Sequence, residues 1–460
     1  MTKSSTESIS EHQHKKMLET PIPKLILGLS APTVLSMLIT VAYNTADTWF
    51  VSQIGTSASA AVGVVFSIMS IIQSFGFGLG VGAGSLISRR LGEKRDAEAQ
   101  IYASSAFSAA IIVGLFLEIT GLLTLQPLMR LLGATDTMLP YACDYARYIL
   151  YVAPIMCASF VLNNILRAEG EPVRAMWGLC IGGILNVILD PILIFSCGLG
   201  ISGAAIATAV SQTVSFLILL FTILKSNTVI HISTQAISND FHIYIEIISI
   251  GLPSICRQGL ASVASAALNK SASLYGDAAI AAITIANKVY LLIRNIVLGV
   301  GQGFMPVAGY NFGARNLRRT RSAFLFTCIL GTILCWIAAI LSYIFAPNLI
   351  GWFRDDPQVI EIGTKALRFA SMVMPLMAYS TFVNQLYQCL GFKVQAAILA
   401  SCRQGICFFP LVLILPRIFN LTGVQATQPA SDLLTFFIAI PFQIYFFKFN
   451  LSDKTNCSDE

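Results

Sequence analysis

Leu79-Gly-Val-Gly-Ala-Gly84 returns much later in the chain as Leu298-Gly-Val-Gly-Gln-Gly303, and the likeness between the two stretches spreads outward on both sides. At a fixed offset of 221 positions, Pro32 matches Pro253, Gly92 matches Gly313, Pro154 matches Pro375, Asn163 matches Asn384 and Gly170 matches Gly391 (253 − 32, 313 − 92, 375 − 154, 384 − 163, 391 − 170). A two-residue slip brings the glycine stretches themselves into line. Proline and glycine set backbone geometry, so their joint recurrence marks a duplicated fold rather than a shared composition.

The solvent of that fold follows from its apolar content. Hydrophobic residues make up 55% of the 460 positions and charged residues only 11%, and the mean hydropathy is +0.74. A soluble protein of this make-up would be coated in apolar surface. Apolar stretches of roughly twenty residues, enough to cross a bilayer as helix, recur along nearly the whole chain. They predict helices over 24–51, 58–88, 100–125, 139–166, 174–197 and 201–225, then over 243–273, 278–305, 322–346, 358–389, 394–416 and 422–447. Six spans per half is an even number, so the second copy re-enters from the same side and the two are related by an axis along the membrane normal. The expected fold class is an all-α integral membrane protein with twelve transmembrane helices in two pseudo-symmetric six-helix lobes. Its parts are an N-terminal tail (1–23), an N-lobe (24–225), an inter-lobe linker (226–242), a C-lobe (243–447) and a C-terminal tail (448–460).

The net charge of +6 resides in particular short loops, not on one continuous surface, which argues for topology and against nucleic acid. Arg89, Arg90, Lys94, Arg95, Arg174, Lys225, Arg315, Arg318, Arg319, Arg321 and Lys393 follow even-numbered spans. The loops after odd spans carry far fewer, chiefly Arg130, Arg354 and Arg417. Both termini are therefore expected in the cytoplasm. The first 23 residues lack the apolar core of a cleaved leader. Eleven cysteines lie mostly inside apolar stretches without a C-x-x-C pair, as packing residues do. His12, His14, His231 and His242 fall in the N-terminal tail or the linker, which leaves no metal centre within the spans.

Against this background a few polar residues lie where hydrocarbon should exclude them. Asp47 sits inside the first span, in Ala42-Tyr-Asn-Thr-Ala-Asp-Thr-Trp49, and Asp190 deep in the fifth, in Asn186-Val-Ile-Leu-Asp-Pro191. An ionised carboxylate at such depth costs at least several kcal/mol, so each is expected to face a polar cavity or to carry a proton part of the time. Asn186 and Asp190, four apart, share a helix face, and Asn163 and Thr208 on the flanking spans complete an oxygen-rich pocket suited to H⁺ or Na⁺. Tyr43 and Asn44, beside Asp47, are candidates for the substrate cleft. The plainer alternative is that these groups only tie helices together. At the 221 offset Leu268 stands opposite Asp47 and Leu411 opposite Asp190, so ion coupling is expected in the N-lobe alone. The C-lobe has its own buried charges, Lys288 and Arg294 in the eighth span and Asp432 in the twelfth, read either as an internal ion pair or as part of the cleft.

Tyr43-Asn-Thr-Ala-Asp47, Asn163-Asn-Ile-Leu-Arg-Ala-Glu-Gly170 and Leu185-Asn-Val-Ile-Leu-Asp-Pro191, at the expected helices of a duplicated twelve-span chain, resemble the multidrug and toxic compound extrusion family over essentially residues 24–447. Gln428-Pro-Ala-Ser-Asp432 looks like a motif of its MepA-type branch, and the DinF-type branch is also near. The resemblance implies a monomeric inner-membrane antiporter with a V-shaped pair of lobes, exporting organic cations and amphipathic drugs in exchange for H⁺ or Na⁺, with no further cofactor. It also implies a coupling site at Asp47, Asn163, Asn186, Asp190 and Thr208. Two other readings stand beside it. A lipid-linked saccharide flippase of the same superfamily would favour a cationic cleft and extra spans. An intramembrane enzyme would need a nucleophile with a base or metal inside the spans, and none of the four histidines lies there.

Overall fold

Where every backbone amide must find its partner without water, helices are the economical answer. In the computed structural model, which describes residues 3–225 and 228–449, helix dominates and the described residues contain no strand. In chain order the first half holds α1 (Lys3–Glu19), α2 (Ile22–Ser52), α3 (Thr56–Gly92), α4 (Asp96–Leu123), α5 (Leu125–Leu131), α6 (Leu139–Tyr151), α7 (Ala153–Ala168), α8 (Pro172–Pro191) and α9 (Gly200–Lys225). The second holds α10 (Phe241–Ser273), α11 (Asp277–Gly313), α12 (Leu317–Ile344), α13 (Ala346–Gly351), α14 (Pro357–Cys389), α15 (Lys393–Ser401) and α16 (Phe408–Phe449). The outer faces remain apolar: Ile112, Phe116, Ile119 and Leu123 on α4, at helical spacing, are all exposed, as a lipid-facing stripe requires. Start signals are local. Asp356 accepts from the amides of Gln358 and Val359 ahead of α14, whose first residue is Pro357, and Asn316 accepts from that of Arg319 at the start of α12.

Among the described residues the crossings comprise ten helices long and apolar enough to span and one bent pair, and one of the ten is long enough to cross twice. The fourth is α6 and α7 together, bent by 50° at a break just before Pro154. The predicted continuous helix over 139–166 is thus corrected to a broken one, because Pro154, the second residue of α7, has no amide to donate back into α6 and its ring clashes with the preceding turn. The last apolar run, Lys393–Lys448, covers 56 residues, far more than one crossing needs. It reverses at Asn420, whose φ of 50° and ψ of −134° are non-helical. A π-helical turn, Cys402–Ile406, interrupts the first leg, and another, Ile192–Ser196, follows Pro191 on the fifth crossing. Extra residues in such turns rotate everything beyond them around the helix axis.

The duplication is carried by the backbone itself. Helices α3 and α11 are both 37 residues long and α4 and α12 both 28. Positive φ recurs at Gly55 and Gly276, at Lys94 and Arg315, and at Gly170 and Gly391, always 221 apart (276 − 55, 315 − 94, 391 − 170). Equal lengths of α3 and α11 overturn the two-residue slip read from the sequence. At the plain offset Gly78, Gly80 and Gly82 face Gly299, Gly301 and Gly303, and their surroundings repeat too. A Cβ on Gly80 would meet Asn164 and one on Gly301 would meet Gln385, itself 221 positions beyond Asn164 (385 − 164).

These glycines let the halves approach closely. Helix α10 packs on α3, and α2 on α11. A Cβ on Gly251 would come within 2.2 Å of the Gly78 carbonyl oxygen, and one on Gly313 within 2.2 Å of the Arg89 carbonyl oxygen. The glycine contacts across the halves involve residues 78–92 of α3, 299–313 of α11, the facing segments of α2 and α10, and Gly391 against the Arg89 side chain, at the end of the bundle that bears the basic loops. Gly251→Ala is therefore expected to force two backbones apart at a cost of about 1–3 kcal/mol, read as a lowered melting temperature of the detergent-purified protein. An unchanged melt would mean that this contact is loose.

The N-terminal tail is not merely polar chain. Helix α1 lies across this same end and touches both halves. Gln13 donates to the Glu169 carbonyl and the Lys16 Nζ to that of Gly170 at 3.3 Å, while the Asn311 Nδ2 donates to the Met17 carbonyl at 3.4 Å and Arg319 to that of Thr20. The linker is tied in as well, the Ile230 amide donating to the buried Glu169 carboxylate at 2.5 Å. Most of the expected C-terminal tail, from residue 450 on, lies outside the described residues.

Candidate functional site

Two π turns and a broken helix converge polar groups in each half. In the first half Asp190 is the penultimate residue of α8, just before Pro191, and is fully buried (0% exposed). Its Oδ1 accepts from the Asn186 Nδ2 at 3.4 Å, and the same amide group donates to the Thr208 Oγ1 on α9 at 3.3 Å. Asp190 Oδ2 has no protein partner. Asp47 on α2 is half-buried nearby, close enough for its charge to bear on Asp190. The Tyr145 hydroxyl, on α6, is buried without a hydrogen-bond partner, close enough for the charges of Asp47 and Asp190 to bear on it. Tyr43 completes this wall: its ring rests on α8 at Gly183, where a Cβ would sit 2.8 Å from the ring, and its hydroxyl faces Gln212 and Asp47.

Of Asp47, Asn186, Asp190 and Thr208, which the sequence reading groups together, the structure hydrogen-bonds Asn186 to Asp190 and Thr208 and sets Asp47 close enough for its charge to bear on Asp190. Asn163 it places differently. Its Nδ2 donates to the Ala175 carbonyl at 2.9 Å, and Asn384 makes the matching bond to Ala396 at 2.6 Å. That amide group therefore belongs to the duplicated frame linking the fourth crossing to the fifth. Asn44 lies half-buried on α2, its backbone carbonyl accepting from the Thr48 hydroxyl. Tyr145 and Gln212 escaped the sequence reading because nothing in their local pattern separates them from packing residues.

The second half assembles a different set. Asp432 is paired with the Arg403 Nε at 2.6 Å, accepts from the Gln428 Nε2 at 3.1 Å and accepts from the Tyr290 hydroxyl. Arg403 also donates to Tyr290 and lies over its ring, 5.6 Å from the centroid. The expectation that Asp432 would find Lys288 or Arg294 is thus corrected to Arg403, on the π turn of the eleventh crossing. Lys288 is exposed, and Arg294 is buried beside the pair. Arg257, on α10, donates to the Asn384 Oδ1 and the Ser254 Oγ, each at 3.3 Å. Arg257 and Arg403 went unremarked in the sequence although both are basic residues inside spans, the same signal that picked out Arg294.

A buried acidic pocket in one half and a buried cluster of arginines around one acid in the other make a constellation that can be compared with known proteins. The profile of the MatE family matches residues 32–192 and 253–414, one copy in each half. The chain belongs to the MatE family. Among curated relatives it is 26% identical to the multidrug export protein MepA of Staphylococcus saprophyticus, over 87% of this chain and 89% of that protein. To MepA of Staphylococcus aureus strain MRSA252 it is 27% identical, over 88% of this chain and 90% of the other. A solved structure described as the outward-facing conformation of a multidrug resistance MATE family transporter superposes with a TM-score of 0.90 at 28% identity, covering 94% of this chain and 97% of the other. These MatE relatives are multidrug exporters or transporters by name, and the superposition shows that this chain shares their fold.

Proposed function

We propose that this MatE protein exports organic cations and amphipathic drugs in exchange for H⁺ or Na⁺, by alternating access between its two lobes. The observation that carries this reading is Asp190, a carboxylate with no exposed surface, held by Asn186, which also binds Thr208, with one oxygen left over and a second acid, Asp47, close enough to bear on it. A group so placed binds a small cation or a proton in one state and pays for its bare charge in the other. The donors present are oxygens, which suit both.

The division of labour follows the chain: an N-lobe (24–225) that couples, a C-lobe (243–447) that contributes the opposite wall of the cleft, and a linker (226–242) between them. The basic loops gather at the end where glycines press the halves together, and basic loops face the cytoplasm. The closed end is then cytoplasmic, and the chain sits in the cell (inner) membrane as a monomer with both termini inside. Ion and drug compete: drug occupies the cleft while Asp47 and Asp190 are charged, and ion binding neutralises them, weakens the attraction and releases the drug outward. Tyr43 and Asn44 line the cleft beside the acids.

The test is efflux of a fluorescent cationic dye from proteoliposomes carrying the full chain, with a pH or a Na⁺ gradient imposed separately. Efflux under one gradient alone identifies the coupling ion. With correctly inserted protein, no efflux under either would move the assignment to another substrate class, beginning with lipid-linked saccharides.

A further inference from the structure

The backbone repeats itself at the basic end, but the charge does not. In the first copy the turn into α4 neutralises itself: Arg90 pairs with Glu93 at 2.8 Å and Glu98 at 3.2 Å, and Arg95 reaches the same two carboxylates at 3.6 and 3.5 Å. At the 221 offset the turn into α12 has Ala314 for Glu93, Leu317 for Asp96 and Arg319 for Glu98 (314 − 93, 317 − 96, 319 − 98). All three acids are gone, while Arg318 and Arg321 replace Ala97 and Gln100. Arg319 donates to the Thr20 carbonyl. Arg315, Arg318 and Arg321 are exposed and have no carboxylate partner among the described residues. Topology is set by Lys and Arg and is little affected by acids, so it does not account for this difference between the copies.

The surface beneath the arginines differs in the same way. On α4, Ser104 and Ser105 accept from the Ser233 and Ser238 amides, so the linker lies against that stretch of the first copy. Their counterparts on α12 are Leu325 and Phe326, and Leu325 is exposed, as are Ile329, Ile333 and Trp336 beyond it. These four share one helix face with Arg318 and Arg321. Leu325 to Trp336 is eleven residues (336 − 325), about 16 Å of helix, close to the hydrocarbon depth of one leaflet. The arginines therefore top a lipid-facing stripe at headgroup level, with Arg321 held over the Phe447 ring of α16, 5.1 Å from its centroid.

We propose that Arg318 and Arg321, with Arg315 beside them, bind the phosphate of an anionic phospholipid of the cytoplasmic leaflet, whose acyl chains lie along Leu325, Ile329 and Ile333. A guanidinium fork matches phosphate oxygens, and the apolar stripe favours a phosphate that carries hydrocarbon over a free one. The inference is separate from the export reading and needs only that the basic loops face the cytoplasm.

The test is native mass spectrometry of the detergent-purified full chain with phosphatidylglycerol, with phosphatidylcholine of the same acyl chains, or with glycerol 3-phosphate. Wild type is expected to retain phosphatidylglycerol in preference to phosphatidylcholine and to retain no glycerol 3-phosphate at the same concentration. The double variant Arg318→Gln/Arg321→Gln should bind phosphatidylglycerol roughly tenfold or more weakly, at about fivefold per arginine, and phosphatidylcholine within about twofold of wild type. Arg318→Lys/Arg321→Lys should keep most of the preference, and Arg90→Gln/Arg95→Gln in the N-lobe turn should leave it within about twofold. No preference in wild type, an equal loss from the N-lobe variant, or displacement of the lipid by equimolar glycerol 3-phosphate would each overturn the proposal. So would a preference that emerges only when the acids beyond residue 449, Asp453, Asp459 and Glu460, are changed to amides, since the chain itself would then be the partner of the arginines. Lipid retention is read without a gradient or a drug, so failure of ion-coupled export leaves these outcomes unaffected.

Discussion

Asp190→Asn is expected to reduce gradient-driven dye efflux to the level seen without a gradient, while leaving the protein correctly inserted. The reason lies in what the substitution keeps and what it removes. Asparagine preserves the volume and one acceptor for the Asn186 amide, so the cage of Asn186 and Thr208 stays filled. It cannot bind or release a proton and offers a cation no charge, so the site is locked in its neutralised form and the cycle has no step at which the ion is exchanged for the drug. Asp47→Asn should act in the same direction, because its charge is the one that bears on Asp190. Asn186→Ala removes only the amide that orients the carboxylate and should raise the ion concentration needed for half-maximal efflux by roughly tenfold, as the loss of a hydrogen bond to a charged group implies. Energised efflux at the wild-type rate in Asp190→Asn would sink the coupling scheme, whatever Asn186→Ala did.

The fold was legible in the sequence because its two determinants are both local. Span length is set by bilayer thickness, and the helix ends are set by glycine, proline and capping side chains, which the duplication then repeats at 221 positions. What failed was register. The slip read between the glycine stretches came from matching letters, whereas the structure aligns Gly78, Gly80 and Gly82 with Gly299, Gly301 and Gly303 by what their missing side chains allow the neighbouring backbones to do. The acidic pocket was half legible: Asp47 and Asp190 announce themselves by depth, but Tyr145 reaches them only through the fold. Asn163 carried a hint in its twin at Asn384, since a residue duplicated where the acids are not duplicated points to the common frame. The partner of Asp432 was hidden for a different reason. Arg403 lies within the π turn Cys402–Ile406, where the helical period that assigns residues to faces no longer holds.

That same pair yields the second large effect. Breaking a buried ion pair by removing one partner costs about 3–5 kcal/mol when the remaining charge is left alone, yet the surroundings here make the two single substitutions unequal. Arg403→Met leaves Asp432 with the Tyr290 hydroxyl, the Gln428 amide and the nearby charges of Arg294 and Arg257, so part of the loss is covered. Asp432→Leu leaves three guanidinium groups facing one another with no carboxylate, and it should be the more damaging by a clear margin in melting temperature. The double substitution restores the wild-type balance of charge in the cluster and replaces the pair by apolar side chains of similar size. It should therefore recover most of the stability lost in Asp432→Leu. Unfolding of a twelve-crossing protein is not a two-state transition, so the ranking of the three melts, rather than an energy, is the quantity to read. Equal melts for the two single variants would mean that Arg257 and Arg294 are shielded from Asp432 and that the cluster around Asp432 carries no excess positive charge.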